Sequence, residues 1–119
     1  MVVDDDADAR ELLSMILQEA GAEVSTASSA DEALAAFEQQ RPDVLVSDIG
    51  MPDGDGYSLI RRVRLLEGDG GTKVPAIALT AFARVEDRGE ALGSGFQAHL
   101  PKPIEPAELT AVVARIIGY

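Results

Sequence analysis

A chain of 119 residues, 46% hydrophobic and 26% charged, fits one domain that buries roughly two thirds of its unfolded surface and needs no staples. The absence of cysteine excludes disulfides and thiolate chemistry and suits a reducing, cytoplasmic setting; the apolar runs are too short to span a bilayer, and no charged leader precedes the first acidic cluster. A formal net charge of −11, from 21 acidic and 10 basic residues, repels phosphate backbones and anionic lipid, so neither nucleic acid nor a membrane is expected as a direct partner.

Val2–Asp4 reads as a very short first strand that runs into the carboxylates Asp4, Asp5 and Asp6. Asp6 or Asp8 can cap a helix over Ala7–Ala20, and Gly21 ends it. A second strand, Glu23–Ala27, precedes Ser29-Ala-Asp-Glu32, whose spacing is that of a capping box opening a helix over Ala30–Gln40. After Pro42 the strand Val44–Asp48 stops at an aspartate where a turn-rich loop begins. A helix over Tyr57–Leu66 and a flexible connection, Glu67–Lys73, lead to the strand Ala76–Leu79, which ends at Thr80. Then come a helix over Val85–Leu92, the strand Ala98–Leu100, Lys102 between Pro101 and Pro103, and a helix over Pro106–Ile117. Each helical stretch carries apolar residues three or four apart. Five strand-then-helix units predict an α/β fold with a parallel sheet, in a single domain over residues 1–119.

In such a sheet, ligands gather at the carboxyl ends of the strands, where the strand order reverses. Asp4 to Asp6, Asp48, Thr80 and Lys102 all fall at strand ends, so four distant segments converge. Three neighbouring carboxylates raise one another's pKa and repel unless a cation sits among them. Hard oxygen donors without histidine or cysteine point to Mg²⁺ or Mn²⁺ rather than zinc. An aspartate beside such a cation can attack phosphorus and form an aspartyl phosphate. An ammonium and a hydroxyl are then suitable donors to the phosphoryl oxygens. Lysine is scarce, Lys73 and Lys102 being the only two, which singles out Lys102.

With these residues in place, the chain resembles, over nearly its whole length, the receiver domains of two-component response regulators. The resemblance implies the flavodoxin-like (βα)5 fold with strand order 2-1-3-4-5. Asp48, in Asp48-Ile-Gly-Met-Pro52 followed by Asp55-Gly56, matches the phosphoacceptor. Asp4 and Asp5 match the acidic pair, with Asp5 a direct metal ligand, and the Gly50 carbonyl matches a third metal contact. Thr80, in Ala78-Leu-Thr-Ala81, matches the switch hydroxyl, and Lys102 before Pro103 matches the family's lysine, with a cis bond between them. His99, the only histidine, stands at the switch position where tyrosine or phenylalanine is usual, which implies an altered aromatic switch. Only Met1-Val-Val3 precede Asp4, a clipped first strand expected of an excerpt from something longer. The segments Pro42–Asp48, Ala83–Arg88 and Gly95–Pro103 look most like receivers of hybrid sensor histidine kinases, with a stand-alone regulator as the alternative. By resemblance, the phosphodonor is a phosphohistidine on a histidine kinase or a phosphotransfer domain.

Each feature alone has a plainer reading. A triple aspartate before a helix often only caps it, and Asp48 alone could be a turn residue. The combination at these spacings favours the receiver. Asp53-Gly-Asp-Gly56 is not a calcium loop, because its register puts Met51 first and Arg62 last. A magnesium-dependent phosphatase would need a general acid two residues after Asp48, where Gly50 stands. Flavin or nucleotide binding would need a glycine-rich loop after the first strand. The chain is therefore expected to act as a phosphoacceptor, not as an enzyme with turnover on a separate substrate, with a degenerate module that never takes phosphate as the remaining alternative.

Overall fold

Residues 1–50, 56–68, 73–80 and 95–117 are described by a computed structural model of the chain. The elements are β1 (Val2–Val3), α1 (Ala7–Glu19), β2 (Thr26–Ala27), α2 (Ala30–Gln39), β3 (Leu45–Asp48), α3 (Gly56–Glu67), β4 (Ala76–Thr80), β5 (Ala98–Pro101) and α4 (Pro106–Ile117). The five strands are all parallel, in the order β2-β1-β3-β4-β5. This is the expected doubly wound, flavodoxin-like sheet. The strand order reverses between β1 and β3, which opens a crevice at their carboxyl ends. The expected helix over Val85–Leu92 lies outside the described residues, as does most of the loop after Gly50.

Period-two alternation along the strands sorts their side chains onto the two faces. Val2, Val46, Ile77 and Leu79 pack with Leu13, Ile16 and Leu17 of α1 and Leu109 and Val112 of α4. Val3, Leu45, Ala76 and Ala78 pack with Leu34 and Phe37 of α2 and Leu59, Ile60 and Val63 of α3. Both faces are covered, so the inner strands are apolar where they cross the core and turn polar only at their carboxyl ends, at Ser47, Asp48 and Thr80. Among the described residues, no helix is long and apolar enough to cross a membrane.

The helix ends follow local chemistry. Asp6, rather than Asp8, caps α1: its Oδ1 accepts from the N–H groups of Asp8 at 2.9 Å and Ala9 at 3.3 Å. Gly21 takes φ 96° and closes α1, with the Ala22 N–H donating to the Leu17 carbonyl at 3.0 Å. Ser29 accepts the Glu32 N–H at 3.1 Å, but Glu32 Oε2 takes the Ser28 hydroxyl at 2.7 Å, so one arm of the expected capping box is redirected. β2 is shorter than Glu23–Ala27 because β1 offers it two partners, Val2 for Thr26 and Val3 for Ala27. β4 and β5 each run one residue further than expected, because Thr80 pairs with Pro101 and the Thr80 carbonyl accepts the Lys102 N–H at 2.7 Å.

The amino end of the sheet is tied by a guanidinium. Arg64 donates to Glu67 Oε1 at 2.8 Å, to the Val74 carbonyl at 2.8 Å, to the Gly95 carbonyl at 2.8 Å and 3.2 Å, and to Gln97 Oε1 at 3.1 Å. Glu67 Oε2 accepts the Val74 N–H at 2.6 Å, and Gln97 Oε1 accepts the Ala76 N–H at 2.7 Å. One network thus joins the end of α3 to the starts of β4 and β5. The Glu67 side chain is fully buried. Arg64→Ala is therefore expected to cost about 3 kcal/mol, mostly by leaving that carboxylate unpaired. Equilibrium urea unfolding measures it, and a loss below about 1 kcal/mol would show that water replaces the guanidinium.

Candidate functional site

Each strand end at the crevice presents a chosen residue because the apolar run stops there. Asp4 follows β1 and is completely buried; Asp48 closes β3 and is 7% exposed; Asp5 points to solvent. Carboxylate oxygens of Asp4, Asp5 and Asp48 all lie within 4.8 Å of one another. Lys102, just past β5, sets its Nζ 3.4 Å from Asp4 Oδ2 and 3.4 Å from Asp48 Oδ1. The ammonium thus bridges two strand ends. Asp4 Oδ1 accepts the Asp6 N–H at 2.9 Å, and Asp48 Oδ1 accepts the Gly50 N–H at 3.1 Å.

The other expected residues fall around this centre. Thr80 ends β4, buried, next to Leu79, which pairs with Asp48. The Lys102-Pro103 peptide is cis, as the resemblance implied. His99 sits half-buried on β5, opposite Ala78, two residues before Pro101. Gly50 is exposed beside Asp48.

Two residues near the site were not assigned from the sequence. Arg10 on α1 donates from Nη1 to the Asp4 carbonyl at 2.7 Å. Its signal was its isolation, since it is the only lysine or arginine among the first 40 residues. In the sequence, Gly56 stands in the Asp55-Gly56 motif with nothing to show its physical role. A Cβ there would lie 2.7 Å from the Asp48 carbonyl oxygen and 2.8 Å from the Ile49 Cα, a separation that backbone atoms cannot yield. Glycine at this place lets α3 start against the strand end that carries Asp48.

The charges do not balance. Three carboxylates meet the Lys102 ammonium, which pairs with Asp4 and Asp48, and the Arg10 guanidinium on the Asp4 carbonyl, so surplus negative charge sits partly out of water. Burial raises the Asp4 pKa, and the nearby Asp48 charge adds to this; the Asp6 N–H and the Lys102 charge oppose it without cancelling it. Burial alone would lower the Lys102 pKa, but the Asp48 and Asp4 carboxylates outweigh it, so the ammonium is held above its usual value and stays charged. A compact set of hard oxygen donors with surplus negative charge fits a divalent cation such as Mg²⁺.

Asp4→Asn checks this reading. A raised carboxylate pKa stabilises the fold below the ordinary carboxylate range, about 4, and that contribution is lost as pH rises through the raised value. Without divalent cations, the variant is therefore expected to be more stable than wild type at neutral pH, by about 1 kcal/mol. The advantage should fade in mild acid. Urea unfolding in EDTA at both pH values measures it, and a variant less stable at neutral pH would mean that the Lys102 contact outweighs burial.

Comparison with known proteins follows the same lines. The family model of the response regulator receiver domain matches residues 1–114. An uncharacterized 14.6 kDa protein of Leptolyngbya boryana is 52% identical over 113 residues, covering 95% of this chain and 85% of that one. The transcriptional regulatory protein PrrA of Mycobacterium tuberculosis is 39% identical over 117 residues, covering 98% of this chain but 48% of PrrA. The chain spans about half the length of the transcriptional regulators it matches. Because those relatives are transcriptional regulators, they do not support the expectation that nucleic acid is no direct partner. Among solved structures, the receiver domain of the sensor histidine kinase PA1611 of Pseudomonas aeruginosa superposes with a TM-score of 0.87 at 34% identity, covering 99% of this chain and 95% of that one. That structure has a magnesium ion coordinated in its active site cleft.

Proposed function

The chain belongs to the response regulator receiver family of two-component systems, and from that premise we propose that it is a phosphoacceptor switch acting through Asp48. The observation that carries the reading is the meeting of Asp4, Asp5 and Asp48 carboxylates within 4.8 Å, with the Lys102 ammonium paired to Asp4 and Asp48. Asp48 Oδ1 is engaged by Lys102 and by the Gly50 N–H, which orients the carboxylate and supports Oδ2 as the attacking oxygen. The Asp48 oxygen forms a bond to phosphorus as the N–P bond of a phosphohistidine breaks. The imidazole leaves with the electron pair and takes a proton from solvent.

Asp4, Asp5, Asp48 and the Gly50 carbonyl would hold Mg²⁺ or Mn²⁺. When bound, the ion supplies positive charge that offsets what develops on the phosphoryl oxygens. Lys102 and Thr80 then engage those oxygens, the ammonium having lost one of its two carboxylate partners to esterification. The shift passes to the surface around β4 and β5, with His99 in the switch position, and changes which partner binds. The donor is a histidine kinase or a histidine phosphotransfer domain in the cytoplasm, and no turnover on a separate substrate is needed. The reading concerns the domain: relatives of several kinds match, among them a sensor kinase receiver, a short protein and transcriptional regulators. Intact-protein mass after incubation with acetyl phosphate, with and without Mg²⁺, tests it. One phosphoryl increment dependent on Mg²⁺ is expected; no increment in its presence would leave a degenerate module that does not take phosphate.

A further inference from the structure

We propose that Arg10 is a positioning residue for cation binding by the Asp4, Asp5 and Asp48 cluster, acting by fixing the Asp4-Asp5 peptide. The inference rests on the functional reading above. Asp4 is held at four places: its N–H donates to the Ala27 carbonyl at 3.2 Å, its Oδ1 accepts from the Asp6 N–H at 2.9 Å, its carbonyl accepts from Arg10 Nη1 at 2.7 Å, and its Oδ2 accepts from Lys102 Nζ at 3.4 Å. The third contact differs from the others in its consequence. A peptide unit is planar, so holding the Asp4 carbonyl also fixes the N–H and Cα of Asp5. Asp5 is exposed, whereas Asp4 and Asp48 are buried. Arg10 stands in the first turns of α1, half-buried, and reaches back across the loop that carries both acids. A charged donor on a neutral carbonyl is among the stronger hydrogen bonds, and here it orders the one exposed carboxylate of the three.

Electrostatics alone makes the opposite prediction. A guanidinium beside a cation site repels the ion, so deleting it as a mere charge would tighten Mg²⁺ binding. The sign of the effect therefore decides between orientation and charge.

The test compares the wild type with Arg10→Met, which keeps the stem but neither donor nor charge, and Arg10→Lys, which keeps both. Mg²⁺ affinity is read by calorimetry on the unphosphorylated protein, alongside thermal unfolding in EDTA. Arg10→Met is expected to weaken Mg²⁺ about tenfold, or about 1.4 kcal/mol, and Arg10→Lys to recover most of it. Phosphorylation by acetyl phosphate should slow in Arg10→Met at low Mg²⁺ and return towards wild type at saturation. Unchanged or tighter Mg²⁺ binding by Arg10→Met, with or without a loss of thermal stability, would overturn the proposal and leave Arg10 a structural contact of α1. If Arg10→Met does not fold, Arg10→Lys decides: affinity near wild type supports the proposal, and affinity as weak as that of Asp5→Asn overturns it. Failure of the wild type itself to bind Mg²⁺ would instead remove the functional reading on which this one stands.

Discussion

Asp48→Asn is expected to abolish phosphorylation outright, with no detectable mass increment from acetyl phosphate under conditions that label the wild type fully. The amide is nearly isosteric and can still accept the Gly50 N–H through Oδ1, so the local turn survives. Its nitrogen lone pair is delocalised and its oxygen is a far poorer nucleophile than a carboxylate. The fold should not suffer, because the change removes one of three mutually repelling carboxylates while Lys102 keeps Asp4. Loss of labelling with undiminished thermal stability in EDTA thus separates chemistry from unfolding. Label retained at stoichiometry by Asp48→Asn would place the acceptor elsewhere and end the proposal.

Lys102→Met should produce the largest change in stability among the residues of the site, with a sign opposite to that of Asp4→Asn. The lysine side chain is 31% exposed, whereas that of Asp4 is fully buried and that of Asp48 is 10% exposed. Removing the ammonium leaves two carboxylates facing each other with no counter-charge. Without divalent cations the cost is expected to be about 2 kcal/mol at neutral pH, below that of a fully buried pair because the lysine is partly solvated. Its pH dependence follows from both partners. The ammonium is held above its usual pKa, so its contribution is complete at neutral pH and would be lost only as pH rises through that raised value. Towards acid, Asp4 takes a proton at its raised pKa and the deficit of the variant shrinks. Added Mg²⁺ should restore much of the stability while leaving the phosphorylated protein unable to switch. In a double-mutant cycle, Asp4→Asn in the Lys102→Met background should be more stabilising than in wild type. A deficit insensitive to both pH and Mg²⁺ would assign the loss to packing of the lysine stem.

The sequence revealed the architecture because period-two and helical patterns switch sharply at the strand ends. Asp48, Thr80 and Lys102 were legible for the same reason: each stands where an apolar run gives out. Arg10 was not, since its contact is to a backbone carbonyl and needs the loop geometry to be seen. Arg64 and Glu67 were equally silent: the sequence puts Glu67 in a flexible connection after the helix, whereas α3 runs through it and the packing of Val74, Gly95 and Gln97 around the pair makes it a buried tie. The capping box was half right, because Ser28 competes for Glu32, and a spacing rule cannot weigh two neighbouring hydroxyls. The length of β2 depended on how many residues β1 offers it, a property of the partner strand.

The ion pair between Lys102 and Asp4 joins residues 98 positions apart, and it bears on the life of the chain before signalling begins. During synthesis, Asp4, Asp5 and Asp48 leave the ribosome long before the lysine does, and β5 is needed to carry that lysine across the sheet. A nascent or internally cleaved fragment could present all three acids and still lack the ammonium proposed to engage the phosphoryl oxygens. On the proposed function, competence to switch would therefore wait until β5 has joined the sheet. Copies lacking that strand would send no false message downstream.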